Sequence, residues 1–428
     1  FSLIIALDCG IKAIEKVNYA SQKNIDFIIC DHHKPGDKLP KAVAVLNAKR
    51  EDCSYPFDEL CGCGVGFKLI QALASKRGQT LEDLTQYLDL VATAIAADIV
   101  PITGENRILT YFGLQVINSN PRNGIKAIIQ GVKKNILTIT DVVFIIAPRI
   151  NAAGRMKHGN YAVELLTEMD YETAISFAAS IEKFNIERKE IDKKITYEAL
   201  QQIEAADEKE KFSTVVYSED WHKGVIGIVA SRLIESYYRP TLVFTKSGEK
   251  LAASARSVKG FDVYEALEQC SEHLEQFGGH KYAAGLTLSP DQYIPFKEKF
   301  EAVVKKTIDK ELLIPEIAID SPLELSDITP KFFRILKQMG PFGPKNMKPV
   351  FTTNAVRDNG YGKRVGADKS HLKLNIINGA DQKTYNAIGF GLGDKITSTQ
   401  NDFDIVYNLD ENEWNGNTSI QLLLKDIK

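Results

Sequence analysis

The sequence predicts an α/β chain in parts: a parallel-sheet domain, joined by a long helix to a second α/β domain, followed by a small β-barrel. Three observations carry this. Short apolar runs alternate with helical patterns near the N-terminus, an unbroken helical texture follows Tyr161, and the C-terminal region holds strand-like runs separated by Gly, Asn and Asp turns. With 428 residues, 44% of them hydrophobic, the chain can bury more than one core, and about 150 residues per domain gives two to four domains. It contains no apolar run of about 18 residues and no signal peptide, so no membrane association is expected. Six scattered cysteines make no disulfide framework, which indicates a reducing, cytoplasmic setting. A formal charge of −3 excludes a uniformly basic coat for nucleic acid but leaves room for a local patch. Because Phe1 stands inside an apolar run, a segment upstream of it is expected.

The first element is "SLIIAL" (2–7), a strand ending in Asp8-Cys9-Gly10; the helical "IKAIEKVNYASQKN" and the strand "IDFIIC" follow, which makes a βαβ unit. A third run, "AVAVLN" (42–47), extends the parallel sheet. Ligands of such sheets lie beyond the carboxyl ends of the strands. Asp8 stands at one such end and Asp31-His32-His33 at the next. A further carboxylate, Asp98, closes the apolar helix "YLDLVATAIAADIVP" just before Pro101. A negative charge there opposes the helix dipole, and a nearby cation reverses that penalty. Imidazole with carboxylate suits divalent manganese, zinc or iron, and carboxylate-rich sites also take magnesium. Singly, each residue is as well explained as a turn former, cap or surface group; together they mark three convergent segment ends. Cys61-Gly62-Cys63 has no second Cys or His pair at finger spacing and reads as a glycine-rich turn with small buried thiols.

From Tyr161 to about Ala205, Ile175, Ala178, Ile181, Phe184, Ile191, Ile195 and Ala199 recur at helical steps without Gly or Pro, which predicts a helix of some 35 residues, roughly 50 Å long, as a strut between domains. "STVVYS", "PTLVFT", "LAASARS" and "AAGLTLS" are then strands of the second α/β domain, around the helix "GVIGIVASRLIESYY". Its polar highlights are Trp221-His222-Lys223-Gly224, Ser254 and Arg256 on one strand, and Gly278-Gly279-His280. Read by itself the glycine pair is a turn; read with Arg and His, it lets a backbone approach a phosphate.

In this order, "DCGIKA", "CDHHKPG", "AADIVP", "APRINAAGRM", "WHKGVIGIVASRL", "SARS" and "FGGHKYAAGLTL" resemble the RecJ exonucleases of the DHH phosphoesterase superfamily, over nearly the whole chain. The resemblance implies a metal-dependent 5′-to-3′ exonuclease of single-stranded DNA with a free 5′ end, in DNA repair and recombination, working as a monomer with helicase and single-strand-binding protein as partners. It assigns Asp8, His32 and Asp98 as metal ligands, with Asp31 and His33 beside them in the name-giving motif and His33 counted with the ligands. Arg149, Asn151 and Arg155 match a segment close to the active site; Ser254, Arg256 and His280, with Gly278 and Gly279, match residues that hold DNA phosphates. The family's first metal-binding motif is expected upstream of Phe1, so two ions, manganese or magnesium, are expected with the full-length chain. Phosphodiester hydrolysis fits such a site, because paired metals activate a water and stabilise the attacking and leaving oxygens.

The C-terminal runs "PVFTTNAVRD", "HLKLNII", "TYNAIGFGL", "DFDIVYNL" and "SIQLLLKDI" suit a barrel of OB type. Between Pro341 and Lys373 seven basic residues (Lys345, Lys348, Arg357, Lys363, Arg364, Lys369, Lys373) face two acidic ones (Asp358, Asp368), a local surplus in an acidic chain. Lys363 and Arg364 are the candidates for DNA contact there, with Phe342 and Tyr361 for base stacking. The expected segments are 1–160 (DHH catalytic domain), 161–210 (connecting helix), 211–310 (DHH-associated α/β domain) and 316–428 (OB fold). Two other readings remain open: a DHH phosphodiesterase of short oligonucleotides or cyclic dinucleotides, which needs neither strut nor basic barrel, and a non-catalytic DNA-binding relative.

Overall fold

The computed structural model describes residues 1–378, 381–414 and 416–428. In chain order it forms β1 (Leu3–Leu7), α1 (Ile14–Gln22), β2 (Asp26–Cys30), β3 (Ala44–Leu46), α2 (Gly62–Lys76), α3 (Leu88–Asp98), α4 (Gly104–Ser119), α5 (Asn123–Ile129) and α6 (Ile139–Asp141). A π-helical turn, Val142–Ile146, leads into α7 (Ala147–Met156), α8 (Asn160–Thr167) and α9 (Tyr171–Ala205). Next come β4 (Thr214–Tyr217), α10 (Ile226–Ser236), β5 (Thr241–Ser247), β6 (Lys250–Arg256), α11 (Val263–Glu268), β7 (Gln276–His280), β8 (Ala283–Leu288) and α12 (Tyr293–Thr307). The chain ends with β9 (Ser321–Pro322), α13 (Pro330–Gln338), β10 (Phe351–Asp358), β11 (Lys363–Val365), β12 (His371–Asn378), β13 (Asp381–Gly389), β14 (Phe403–Trp414) and β15 (Asn417–Ile427).

Packing divides the chain into two compact units, one of residues 1–122, 131–147 and 317–428, the other of 123–130 and 148–316. In the first unit β1, β2 and β3 lie parallel in sequence order, with Leu7 beside Cys30 and Cys30 beside Leu46. The three carboxyl ends are therefore level. Among the described residues β1 is a sheet edge, and Leu3, Ile5 and Leu7 are exposed. α3 is buried through Leu88, Val91, Ala92, Ile95 and Ala96, which is why an eleven-residue helix can be so apolar.

The C-terminal strands belong to the same unit. β10, β12, β13, β14 and β15 are the five expected strands, and β12 pairs with β10 as well as with β13, so the sheet curls back on itself around Val356, Leu374, Ile376, Tyr407 and Leu424. Ile102 N donates to Pro344 O at 2.8 Å and Arg107 donates to the carbonyls of Gln338, Met339 and Gly340, which tie this region to the start of α4.

In the second unit the sheet order is β4-β5-β6-β8-β7, with β4 and β5 parallel and the rest antiparallel. β5 is buried along Thr241–Thr245, as a central strand covered on both faces requires. Phe244, Phe296 and Phe300 fill the space under α12. The long helix is real but begins later than its texture predicts: α9 has 35 residues starting at Tyr171, and α8 is separate. Asp170 sets the boundary, since its carboxylate accepts from Thr173 N at 2.8 Å and caps the helix. The glycine pair also differs from the expected turn. Gly278 and Gly279 lie within edge strand β7; Gly279 has φ +151°, and a Cβ there would overlap the backbone of Ala283 and Ala284, so no other residue fits.

Candidate metal centre and phosphate-binding segments

Asp8 ends β1 with φ +62°, and its N–H donates to Cys30 O at 2.9 Å, so the backbone turns sharply beside β2. Its Oδ1 lies 3.1 Å from His32 Nε2, and Asp98 Oδ2 lies 3.6 Å from the same nitrogen. The three segment ends converge as the sequence predicts. Asp8, His32 and His33 also present ligand atoms within 4.8 Å of one another. His32 is nearly buried, whereas Asp8 and Asp98 are open to solvent, so the cluster has a protein wall and a wet side.

Asp31 has a different place from its neighbours. It is 1% exposed, its Oδ2 accepts from Ile11 N at 2.9 Å, and its Oδ1 accepts from His32 N, His33 N and His33 Nδ1, the last at 2.7 Å. Burial alone raises its pKa, but the hydrogen bonds from Ile11, His33 and His32 outweigh it and hold the carboxyl below its ordinary value. An ionised, saturated Asp31 makes Nδ1 the donor on His33 and leaves His33 Nε2 with a lone pair pointing outward, the arrangement that orients metal-binding imidazoles. Asn47, buried at the end of β3, donates from Nδ2 to His33 O at 2.9 Å and fixes the same turn.

On His32 the hydrogen bond to Asp8 raises the pKa, burial lowers it, Asp98 adds to the rise, and the net direction is up. Two carboxylates and one imidazole nitrogen meeting at 3–4 Å need a positive charge between them. A proton on His32 is one solution and a divalent cation is the other; the mixed nitrogen and oxygen donor set fits manganese, and its carboxylates also fit magnesium. Burial pushes the Cys61 thiol up to about 12 and the Cys63 thiol to about 11.

Two residues of this site escape sequence reasoning. In place of the expected glycine-rich turn, Cys61 caps α2 and Gly62 opens it, and a Cβ on Gly62 would overlap the Asp8 side chain. The helix N-terminus thus comes against the carboxylate, where its dipole favours a negative charge. Ile99 caps α3 in the left-handed region, φ +58°, and turns the chain directly after Asp98. The strained β-branched residue has no signature beyond the following Pro101.

The phosphate-binding candidates lie in the second unit. Arg256 Nη1 donates to Ser254 Oγ at 3.0 Å and to Ala255 O at 2.8 Å. Register aligns the rest: Arg256, Ala283 and His280 form one row across β6, β8 and β7, and Ser254, Gly285 and Gly278 form the adjacent row. Arg256 and His280 are thereby brought to one face about 10 Å apart, two strand spacings. Arg155 Nη1 donates to Gly224 O at 3.1 Å, while Arg149 pairs with Glu182 and Asn151 is exposed on α7. Gly278 has open space where a side chain would stand.

The basic stretch of the first unit is less positive than its sequence count. Lys345 pairs with Glu59, Lys348 with Asp410, Arg357 with Asp402 and Arg364 with Asp394, all partners outside the counted window. Arg364 also donates to Gly393 O at 2.9 Å. Among the described residues no carboxylate pairs with Lys363, Lys369 or Lys373. Tyr361 is 72% exposed, Phe342 is half-buried, and Phe390, which carries no signal in the sequence, is 63% exposed against His371.

Comparison with known proteins identifies the family and its domains. Residues 2–95 match the DHH family N-terminal domain, 210–306 the DHHA1 domain and 319–426 the RecJ OB domain. The chain is 36% identical over 433 residues to the single-stranded-DNA-specific exonuclease RecJ of Bacillus subtilis strain 168, covering 100% of this chain and 54% of that protein. It is 32% identical over 449 residues to the protein so named in Escherichia coli K12, covering 99% of this chain and 77% of that one. A crystal structure of RecJ in complex with Mn2+ from Thermus thermophilus superposes with a TM-score of 0.86 at 27% identity, covering 100% of this chain and 62% of that one. The chain thus spans about half the length of the Bacillus protein. Among the described residues no helix is long and apolar enough to cross a membrane.

Proposed function

The chain belongs to the RecJ family, and from that premise we propose that it carries out metal-dependent 5′-to-3′ exonucleolytic hydrolysis of single-stranded DNA, in DNA repair and recombination. The observation that carries this reading is the convergence of Asp8 Oδ1, His32 Nε2 and Asp98 Oδ2, with His33 oriented by Asp31 beside them. In the reading, Asp8, His32, His33 and Asp98 hold the ion and Asp31 positions the histidines. A divalent ion bound there supplies activation of the attacking water and charge stabilisation on the phosphate oxygens. Ser254, Arg256 and His280 hold phosphates of the strand. Lys363, with the exposed Tyr361, tracks the strand further along. Six free cysteines favour a reducing compartment, the cytoplasm, and the expectation of a monomer supplied with single strands by a helicase and single-strand-binding protein goes with the same reading.

His32→Ala and Asp98→Ala should each lower Mn2+-dependent nucleotide release from a 5′-phosphorylated single strand by about 100-fold or more, with an unchanged circular dichroism spectrum. Undiminished turnover per folded molecule in either variant rules the metal assignment out.

A further inference from the structure

Helix α9 buries a polar face. Glu182, Asn185, Arg188, Asp192 and Thr196 follow one another at steps of three or four, which aligns them in one stripe. Asn185 and Asp192 are fully buried and Arg188 is 9% exposed. A packed helix ordinarily buries an apolar stripe, and α9 has one further on at Ile195, Ala199 and Ile203. In the polar stripe Asn185 Nδ2, Arg188 Nε, Asp192 Oδ1 and Thr196 Oγ1 have no hydrogen-bond partner among the described residues. Groups of this kind in a native protein call for a reason.

The charge balance supplies one. Arg188 Nη2 donates to Asn185 Oδ1 at 3.2 Å, while the carboxylate one turn on, Asp192, is engaged by Arg232 of α10 at 2.9 Å. α7 runs along the stripe, with Arg149 on Glu182 at one end and Met156 packed in the cluster of Ile191 and Ile195 at the other. That brings Arg155 to the level of Arg188. Burial lowers the Arg188 pKa, Asp192 opposes this, and the charges of Arg155 and Arg232 lower it further. Arg155 reaches Gly224 O before α10, and a Cβ on Gly227 in that helix would stand 2.9 Å from Ser254 Oγ and 3.0 Å from Arg256 Nη2. Arg188 and Arg232 thus both face one carboxylate, Asp192, and among the described residues no carboxylate pairs with Arg155 or Arg256.

We propose that Arg188 is the buried charge beneath an anion subsite whose mouth is Arg155, Ser254 and Arg256, and that it sets the affinity of that subsite for a phosphate group. The inference rests on the reading that Ser254 and Arg256 hold phosphates of a single strand. Arg188 is a positioning residue: it acts through the low-dielectric interior, where a cation whose neighbouring carboxylate is already engaged by Arg232 attracts an anion more strongly than a solvated one does. The phosphate is either the 5′-terminal monoester or an internal diester of the strand.

Binding of 5′-phosphorylated and 5′-hydroxyl oligonucleotides to the 428-residue chain in EDTA tests this, alongside melting of the ligand-free protein. Arg188→Met should weaken binding about tenfold without lowering the melting temperature, because Asp192 keeps its pairing with Arg232 and a buried cation is replaced by an apolar side chain. Arg188→Lys should restore much of the affinity. A loss confined to the phosphorylated strand assigns the monoester, and an equal loss on both assigns the diester. Unchanged binding by Arg188→Met overturns the inference while leaving the functional reading intact. Weakened binding with a lowered melting temperature in both variants overturns it in favour of a structural stripe. Wild-type chain that binds neither strand defeats the functional reading and the inference together.

Discussion

Asp8 and Ile99 hold left-handed backbone conformations, φ +62° and +58°, that L-residues avoid and that a β-branched isoleucine avoids most. Each such residue costs of order 1 kcal/mol and persists only where its surroundings determine it. Both adjoin the proposed ion site: Asp8 is one of its carboxylates, and Ile99 follows the other. Gly62 completes the arrangement, because any side chain there displaces Asp8. Gly62→Ala should therefore weaken Mn2+ binding by about 10-fold or more while the protein still folds, measured by calorimetric titration; an unchanged affinity would show that Asp8 is free to move aside. The raised His32 pKa gives a second test at this scale. In metal-free protein the proton on His32 is bound more tightly folded than unfolded. Its contribution to stability is complete below the ordinary imidazole value of about 6.5 and is lost as pH rises through the raised folded value. The melting temperature in EDTA should fall across that window. Mn2+ must displace the same proton, so its affinity should fall in the opposite direction, as pH drops through the raised value. A flat profile in both measurements contradicts the His32–Asp8–Asp98 coupling.

Strand pairing places Lys363 on β11 directly opposite Lys373 on β12, both exposed. Like charges in that position are destabilising by a few tenths of a kcal/mol, a cost that an anion lying across them would remove. Lys363→Thr should raise the stability of the free protein by about 0.5 kcal/mol and weaken binding to a long single strand; a variant that gains stability without losing affinity makes the pair a surface accident. Pairings of this kind also decide what the sequence could disclose. The candidate metal residues were legible because each stands at the end of an element with a clear local pattern: a strand after Leu7, a strand after Cys30, an apolar helix before Pro101. The length of α9 was legible from periodicity, but its start was not, since an apolar face continues through α8 and only the Asp170 cap divides them. Gly278 and Gly279 read locally as a turn; their strand character comes from pairing with β8, and a single window does not contain that partner. The charge of the 341–373 stretch misled for the same reason, because Glu59, Asp394, Asp402 and Asp410 neutralise it from elsewhere in the chain.

At the scale of the whole molecule, residues 317–428 pack with the N-terminal segment in one unit, through Ile102 to Pro344, Lys345 to Glu59 and Arg107 to the carbonyls after α13. Deleting the OB region would strip that packing from the metal-bearing segment, so a truncated chain cannot separate binding from folding. Charge reversal leaves the packing in place. Arg364 is held by Gly393 and Asp394, which makes Lys363 and Lys373 the better pair to reverse. If they track the backbone of a long strand, Lys363→Glu with Lys373→Glu should weaken binding to it and make the slope of log affinity against log salt shallower by about 0.7 for each phosphate no longer neutralised, roughly 1.4 for two. In the proposed reading, hydrolysis of a dinucleotide depends on the ion site and needs no long stretch of backbone, so its rate should change little. The contrast separates a long-strand exonuclease from a phosphodiesterase of short oligonucleotides: the first predicts a defect that grows with strand length and fades at high salt, the second predicts no dependence on these lysines for any substrate. Equal losses on short and long substrates, insensitive to salt, would mean that the OB region supports the catalytic segment by packing alone.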